Sequence, residues 1–190
     1  MDTPDLVLEP VEIPAGRYQF RPPSLHEAEA EDVMAMAQDS DIRMWNPLRS
    51  VTDEETARAW CLRWSSWDGN TSPVWGVFEA GAARLLGTIS LFDIDTENSS
   101  AEIGYRIAPW ARNQGVGTAA LRSVAEWAFK TLGLSRLQLL HGLENLASCR
   151  VAEKSGFALE GVLRSSYRYG DGELHSEHLH ARLASDPTPN

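Results

Sequence analysis

Only two cysteines, Cys61 and Cys149, occur in the 190 residues, and no motif spacing links them. That excludes a disulfide framework and fits a reducing, cytoplasmic setting. No run of 18 apolar residues is present, so a membrane span is excluded. The start, Met1-Asp2-Thr3-Pro4-Asp5, lacks the basic and then apolar pattern of a signal peptide. Basic residues are scarce as well: 17 Lys and Arg stand against 27 Asp and Glu, a formal net charge of −10. Nucleic-acid binding calls for a basic face, so that class is excluded too. The acidity suits a cationic partner such as an amine or a basic protein terminus, or serves solubility alone. Internal repeats and interdomain linkers are also lacking.

What is present is enough chain for one domain with a real core, at 43% hydrophobic residues. Residues 1–16 are rich in proline and acid and read as an N-terminal extension. The domain proper runs 17–183, and 184–190, with two prolines, reads as a loose tail. Arg17–Arg21 is a first strand, and Ser24-Leu25-His26-Glu27 is a capping-box signature opening a helix to about Gln38. Asp39–Ser50 reads as a loop. Thr52–Glu55 is a second capping box, before a helix with Trp60, Trp64 and Trp67 on one face. Strands follow at Trp75–Ala80, Leu85–Asp93 and Ala101–Ala108. After a helix ending at the αL glycine Gly133 come a strand at Arg136–Leu143, a short helix at Asn145–Ser155, and strands at Phe157–Arg164 and His175–Leu183. This α/β order predicts a mixed sheet of about six to seven strands with helices on both faces.

One stretch carries the most chemical information. Arg112-Asn113-Gln114-Gly115-Val116-Gly117-Thr118 links a strand to an amphipathic helix. Such a turn points free N–H groups and the positive end of the helix dipole at one spot, which makes a phosphate or pyrophosphate seat. The P-loop pattern needs Lys-Ser/Thr after its last glycine, and Thr118-Ala119 stands here instead. A dinucleotide fingerprint lacks its third glycine, where Ala120 stands, although alanine is accepted there. The third pattern, Arg-x-x-Gly-x-Gly, fits Arg112, Gly115 and Gly117.

Downstream run Asn145-Leu-Ala-Ser148, then Glu153-Lys154-Ser-Gly156-Phe157, then Glu160-Gly161, and upstream lies Glu102-Ile-Gly-Tyr105. From about Glu102 to Gly172 the chain resembles the GNAT superfamily of acyl-coenzyme A N-acyltransferases, and most of all its Rim-type branch, which acetylates N-terminal amines of ribosomal proteins. The resemblance implies that the strands ending near Ala108 and Leu143 splay apart. It implies that the pantetheine arm pairs with the backbone of Arg106, Ile107 and Ala108. It also implies acetyl-CoA as co-substrate, direct attack by a primary amine of a peptide or small molecule in a ternary complex, and pairing of two copies as a possible assembly; the residues themselves offer no complete metal-ligand set, so no metal is expected. A catalytically inactive coenzyme-binding regulatory module and a nucleotide-binding protein using the Gly115/Gly117 turn remain as other readings.

The site candidates follow. Asn113, Gln114, Gly115, Val116, Gly117 and Thr118 seat the pyrophosphate, with Arg112 either on a phosphate or in solvent. The N–H near Ile107 is the oxyanion donor. A primary amine is mostly protonated at pH 7 and needs a base. Glu102 is that candidate, acting through a water, against a reading as a solvent-facing or Arg-paired carboxylate. Many members of the superfamily carry a tyrosine acid seven residues after the Asn of the second motif. Ala152 stands there, so that acid is missing. The resemblance implies instead a role for Ser148, three residues after Asn145, where Rim-type enzymes have a serine able to meet the sulfur; its other reading is service at the helix N-terminus. Asn145 holds the pantetheine amides or caps the helix, and Lys154 reaches a phosphate or is a surface lysine. Trp45 and Tyr105 line the acceptor pocket. His175, His178 and His180 suggest a metal, but only His178 and His180 share a strand face. No acidic or cysteine ligand completes that set.

Overall fold

The alternation of Tyr18-Gln19-Phe20-Arg21, buried then half-buried, is that of a strand with one face on a core. In the computed structural model, which describes residues 8–24, 27–67 and 72–189, it belongs to one open sheet. The strands are β1 (Ile13–Ala15), β2 (Tyr18–Arg21), β3 (Val74–Glu79), β4 (Gly87–Asp95), β5 (Ser100–Ile107), β6 (Arg136–Gly142), β7 (Ala158–Arg168) and β8 (Leu174–Leu183), ordered β1-β2-β3-β4-β5-β6-β8-β7. The expected six to seven strands are thus eight among the described residues. The addition is β1, inside the stretch expected to form an extension. Ile13-Pro14-Ala15 pairs antiparallel with Tyr18–Phe20, and Leu8 and Ile13 are buried. Pro14 cannot donate to a ladder, which is tolerated because β1 is an edge strand.

The helices are α1 (Glu27–Gln38), α2 (Ser40–Trp45), α3 (Glu54–Ser65), α4 (Val116–Thr131) and α5 (Leu146–Lys154). Among them α2 replaces part of the loop expected over Asp39–Ser50. The Asp39 carboxylate accepts the Ile42 N–H at 3.0 Å and so caps a short helix that buries Ile42. The capping box of α3 lies one residue later than expected: Asp53, not Thr52, is the cap, and Thr56 reciprocates. The box expected at Ser24–Glu27 falls partly outside the described residues; Ser24 itself hydrogen-bonds the Glu29 carboxylate.

Apolar spacing explains the packing. Val116, Ala120, Val124 and Ala128 recur on one face of α4 and are all buried, and the helix stops at Gly133, whose φ of +69° is the αL cap expected there. The tryptophan stripe divides. Trp60 is buried on α3, whereas Trp67 lies past the helix end and meets Trp75 edge-on at 4.8 Å, with Trp127 beside both. The tail expected to be loose makes a turn in which Asp186 accepts the Leu183 N–H, and Pro189 lies against Gly156.

One departure from regular pairing positions the site. β5 and β6 are parallel neighbours, joined only at Ser100–Glu102 with Arg136–Gln138. Beyond Glu102 they diverge, leaving a wedge between Ile103–Ile107 and Leu139–Gly142, as expected of the splayed pair. Helix α2 covers one face of the wedge, with the Trp45 ring against Gly142. α4 and α5 cover the other, where Gly117 lies within van der Waals reach of Tyr105, Ile107 and Val151.

Candidate active site

The helix α4 N-terminus can receive an anion. Its cap residue, Gly115, takes φ +81° and supplies no side-chain cap, and the first turn holds no acidic residue. The N–H groups of Val116, Gly117 and Thr118 precede the first intrahelical bond, Ala119 N–H to Gly115 carbonyl at 3.0 Å. Free donors at the positive end of the helix dipole attract a phosphate. The approach is held from behind: Arg17 and Tyr18 donate to the Gln114 carbonyl at 3.0 and 3.1 Å. No side chain rises from Gly115, and a Cβ at Gly117 would sit in ordinary contact with Ile107, Val151 and Tyr105.

That seat opens into one cavity of about 670 Å³ running along the wedge. Trp45, Tyr105, Arg106, Ile107, Arg112, Asn113, Gly115, Val116, Gly117, Thr118, Asn145, Ser148 and Lys154 all line it. Three candidates do not. Ala108 is fully buried, with its N–H given to the Leu86 carbonyl at 2.9 Å. Gln114 turns outward and donates to the Trp110 carbonyl. Glu102 lies deeper, at the vertex where β5 and β6 part.

Several side chains are committed within the protein. Arg112 is drawn onto α2, where it pairs with Asp39 and, at 3.0 Å, with Asp41. Burial raises the Asp39 pKa, but hydrogen bonds from Arg112 and the Ile42 N–H outweigh it and hold the carboxyl below its ordinary range. Asn145 caps α5, its carbonyl oxygen accepting the Ser148 N–H at 3.1 Å. That leaves the Asn145 amide N–H₂ for a ligand. Arg106 donates through Nε to the Asn46 carbonyl at 2.8 Å, and Asn46 returns a bond to the Tyr105 carbonyl at 3.1 Å. Burial pulls the Arg106 guanidinium down to about 10, which leaves it charged at neutral pH.

Two hydroxyls meet at the open end. Tyr105 Oη and Ser148 Oγ stand 3.0 Å apart, bridging β5 and α5. Burial pushes the Tyr105 phenol up to about 12, so it holds its proton at neutral pH. On the opposite face of the sheet stand carboxylates. Glu102, raised to about 7 first by burial and then by Asp93 and Glu177, is poised to exchange a proton near neutrality. Glu177 is buried and accepts from Tyr169 Oη and Ser166 Oγ, both at 2.8 Å. Trp45 packs edge-on against Tyr169 at 5.3 Å, walling this side.

Sequence reasoning missed several lining residues. Asn46 sat in a segment read as loop. Arg150 precedes Lys154 by one turn on α5 and lines the same cavity; its i, i+4 spacing on a short basic helix face was the available signal. His141 lines the cavity from β6 and, like Tyr169, has no motif around it.

The comparisons with known proteins agree with this geometry. Residues 17–158 match the acetyltransferase (GNAT) domain family. The chain is similar to the uncharacterized N-acetyltransferase YoaA of Bacillus subtilis (strain 168), at 34% identity over 107 residues, 56% of this chain and 60% of that protein. It is similar to the ribosomal-protein-serine acetyltransferase of Escherichia coli (strain K12), at 31% identity over 100 residues, 53% of this chain and 55% of that protein. The chain therefore spans little more than half the length of these two curated relatives. In fold it is like RimL, a ribosomal alpha-N-protein acetyltransferase solved in complex with coenzyme A, with a TM-score of 0.79 and 19% identity over 93% of this chain and all of that one.

Proposed function

Because the chain belongs to the GNAT acetyltransferase family, we propose that it is an acyl-coenzyme A-dependent N-acyltransferase that moves an acetyl group from acetyl-CoA to a primary amine. The observation that carries this reading is the uncapped α4 N-terminus opening into the β5–β6 wedge. The pyrophosphate sits on the N–H groups of Val116–Thr118, and Arg150 and Lys154 on the rim of the cavity face the remaining phosphate. The pantetheine arm lies in the wedge against Arg106, Ile107 and the Asn145 amide, with the Ile107 N–H near the carbonyl oxygen.

The acceptor enters from the side walled by Trp45 and Tyr169, past the exposed carboxylates of Asp41 and Glu144. This acidic approach suits a cationic amine, either a peptide N-terminus or a small polyamine-like molecule. Glu102 takes one amine proton through a water. The neutral nitrogen attacks the thioester carbon, and the C–S bond breaks as the tetrahedral adduct collapses. The departing thiolate takes its proton from Ser148, Tyr105 replaces it, and the proton still carried by the adduct nitrogen passes through water to restore the Tyr105 hydroxyl. No described helix is long and apolar enough to cross a membrane, and both cysteines are free, which supports a cytoplasmic location. The edge strand β7 exposes Leu159, Val162, Leu163 and Tyr167, which supports pairing of two copies there.

Titration calorimetry with acetyl-CoA, CoA, NAD and ATP tests the coenzyme. Thiol release over a panel of amines and N-terminal peptides tests the reaction. Acyl-CoA binding with amine-dependent thiol release is expected. Coenzyme binding without turnover on any amine leaves a regulatory module, and binding of NAD or ATP alone overturns the coenzyme assignment.

A further inference from the structure

On the face of the sheet covered by α5, three histidines and a cysteine converge. His178 and His180 alternate along β8 and so share a face. His141 on β6 is paired in register with His178. Cys149 comes down from α5. One ligand atom from each of the four lies within 4.8 Å of all the others. The sequence alone sets only two of these histidines on one face; the β6–β8 register and the seat of α5 bring in the other two.

We propose that His141, Cys149, His178 and His180 form a tetrahedral binding site for a divalent transition ion of the zinc type, which ties α5 to the sheet. The imidazoles are already oriented for it. His141 Nδ1 lies 2.9 Å from the Gly142 carbonyl oxygen and His180 Nδ1 lies 3.0 Å from that of Phe157. A carbonyl only accepts, so each Nδ1 carries the proton and each Nε2 offers a lone pair. This is how metal-bound histidines are held by their outer partners. His180 Nε2 stands 4.0 Å from Cys149 Sγ. His141 Nε2 and His178 Nδ1 are buried with no hydrogen-bond partner. Buried polar atoms are rarely left so, and two in one cluster of metal-ligating side chains call for a missing ligand.

The ring geometry agrees. Ring centroids are 5.2 Å apart for His141–His178 and for His141–His180, and 5.7 Å for His178–His180. Three imidazoles bound tetrahedrally at about 2.0–2.1 Å place their centroids about 5 Å apart. Small side-chain rotations therefore bring the donors to bonding distance. On binding, the Cys149 S–H proton leaves to solvent as the S–metal bond forms, and no electrons are transferred. Three neutral imidazoles and a thiolate leave one positive charge on the site, and the Glu153 carboxylate, 3.8 Å from Cys149 Sγ, faces it. Four protein donors fill a tetrahedral shell, so the site is structural. Its reach is toward Ser148 and Asn145 at the start of the same helix, and His141 borders the cavity, which gives an ion a way in.

The test uses untagged protein stripped with a chelator and titrated with cobalt(II) and with zinc(II). Cobalt is expected to give one equivalent of the thiolate-to-cobalt charge-transfer absorption with the intense visible bands of a tetrahedral ion. Zinc at about 100 times its dissociation constant is expected to raise the melting temperature by roughly 5–10 °C. Cys149→Ser should abolish the charge-transfer band, and His178→Ala should weaken cobalt binding by about 10- to 100-fold. His175→Ala, outside the cluster, should change neither. No charge-transfer band in the parent protein overturns the site. So does a band, or a zinc-induced shift, that survives in Cys149→Ser, since the ion is then held elsewhere.

Discussion

The Tyr105 and Ser148 hydroxyls face each other at 3.0 Å across the mouth of the wedge, one from β5 and one from α5. Many members of the family place a tyrosine acid on the helix, where this chain has Ala152, which is fully buried. Here the phenol comes from the facing strand and meets the helix through Ser148. A proton given by Ser148 to a departing thiolate can be replaced from Tyr105. Ser148→Ala and Tyr105→Phe should each lower kcat by about 10- to 100-fold, with the KM for acetyl-CoA within a few-fold. The double variant should be no slower than the worse single one, because the two act as one unit. Steady-state kinetics of the three variants decides it; multiplied losses in the double variant would separate the two roles.

As the proposed base, Glu102 should set the pH dependence of the reaction. Its pKa is raised to about 7, chiefly by burial and then by Asp93 and Glu177. As a base it works only when ionised, so kcat/KM should climb with pH through about 7 and level off above. Glu102→Gln should flatten that limb and reduce the plateau by roughly 10²-fold, with acetyl-CoA affinity unchanged. A variant that keeps the parent profile from pH 6 to 9 removes Glu102 from the reaction.

The proposed phosphate seat makes separate demands on its two glycines. Gly115 has open space around a would-be Cβ but φ +81°, whereas a Cβ at Gly117 would meet Ile107, Val151 and Tyr105 only in ordinary contact. Gly115→Ala should therefore cost stability, by about 1–2 kcal/mol for an L-residue held in the αL region. Gly117→Glu should leave the fold largely intact and put a carboxylate among the donors of Val116–Thr118, abolishing acetyl-CoA binding by calorimetry. Retained affinity in Gly117→Glu would move the pyrophosphate elsewhere.

Much of this was legible in the sequence because local pattern and long-range structure coincide there. The Arg112–Thr118 turn, the α4 stripe and the Gly133 stop are each written within a few residues. The misses have other causes. β1 is three residues with a proline, too short for any periodicity, and it exists through its partner β2. α2 is a single capped turn and a half whose helical form rests on Asp39 and on the pairing of Asp39 and Asp41 with Arg112, far along the chain. The hydroxyl pair, the Asn46–Arg106 exchange and the meeting of His141 with His178 depend on register between distant elements, which no single segment encodes.

Arg112 shows how such a long-range contact reassigns a residue. Its position in the glycine-rich turn suggests a hand for the phosphate, yet its guanidinium is engaged by Asp39 and Asp41 and so latches α2 to the loop. Asp39 does two jobs, capping α2 and holding Arg112. Asp39→Ala removes both and should cost about 1–2 kcal/mol; Asp39→Asn keeps a capping side chain and should cost less. Because the folded Asp39 pKa lies below its ordinary value, the stability it adds is present above about pH 4 and is lost as the pH falls through the folded value. Asp39→Asn should accordingly be less sensitive to acid than the parent. Arg112→Ala should lower the melting temperature while changing acetyl-CoA affinity by no more than about 3-fold, the signature of a positioning residue. A loss of affinity of about 10-fold or more at an unchanged melting temperature, as expected for one lost charge-assisted bond, would instead return Arg112 to the phosphate.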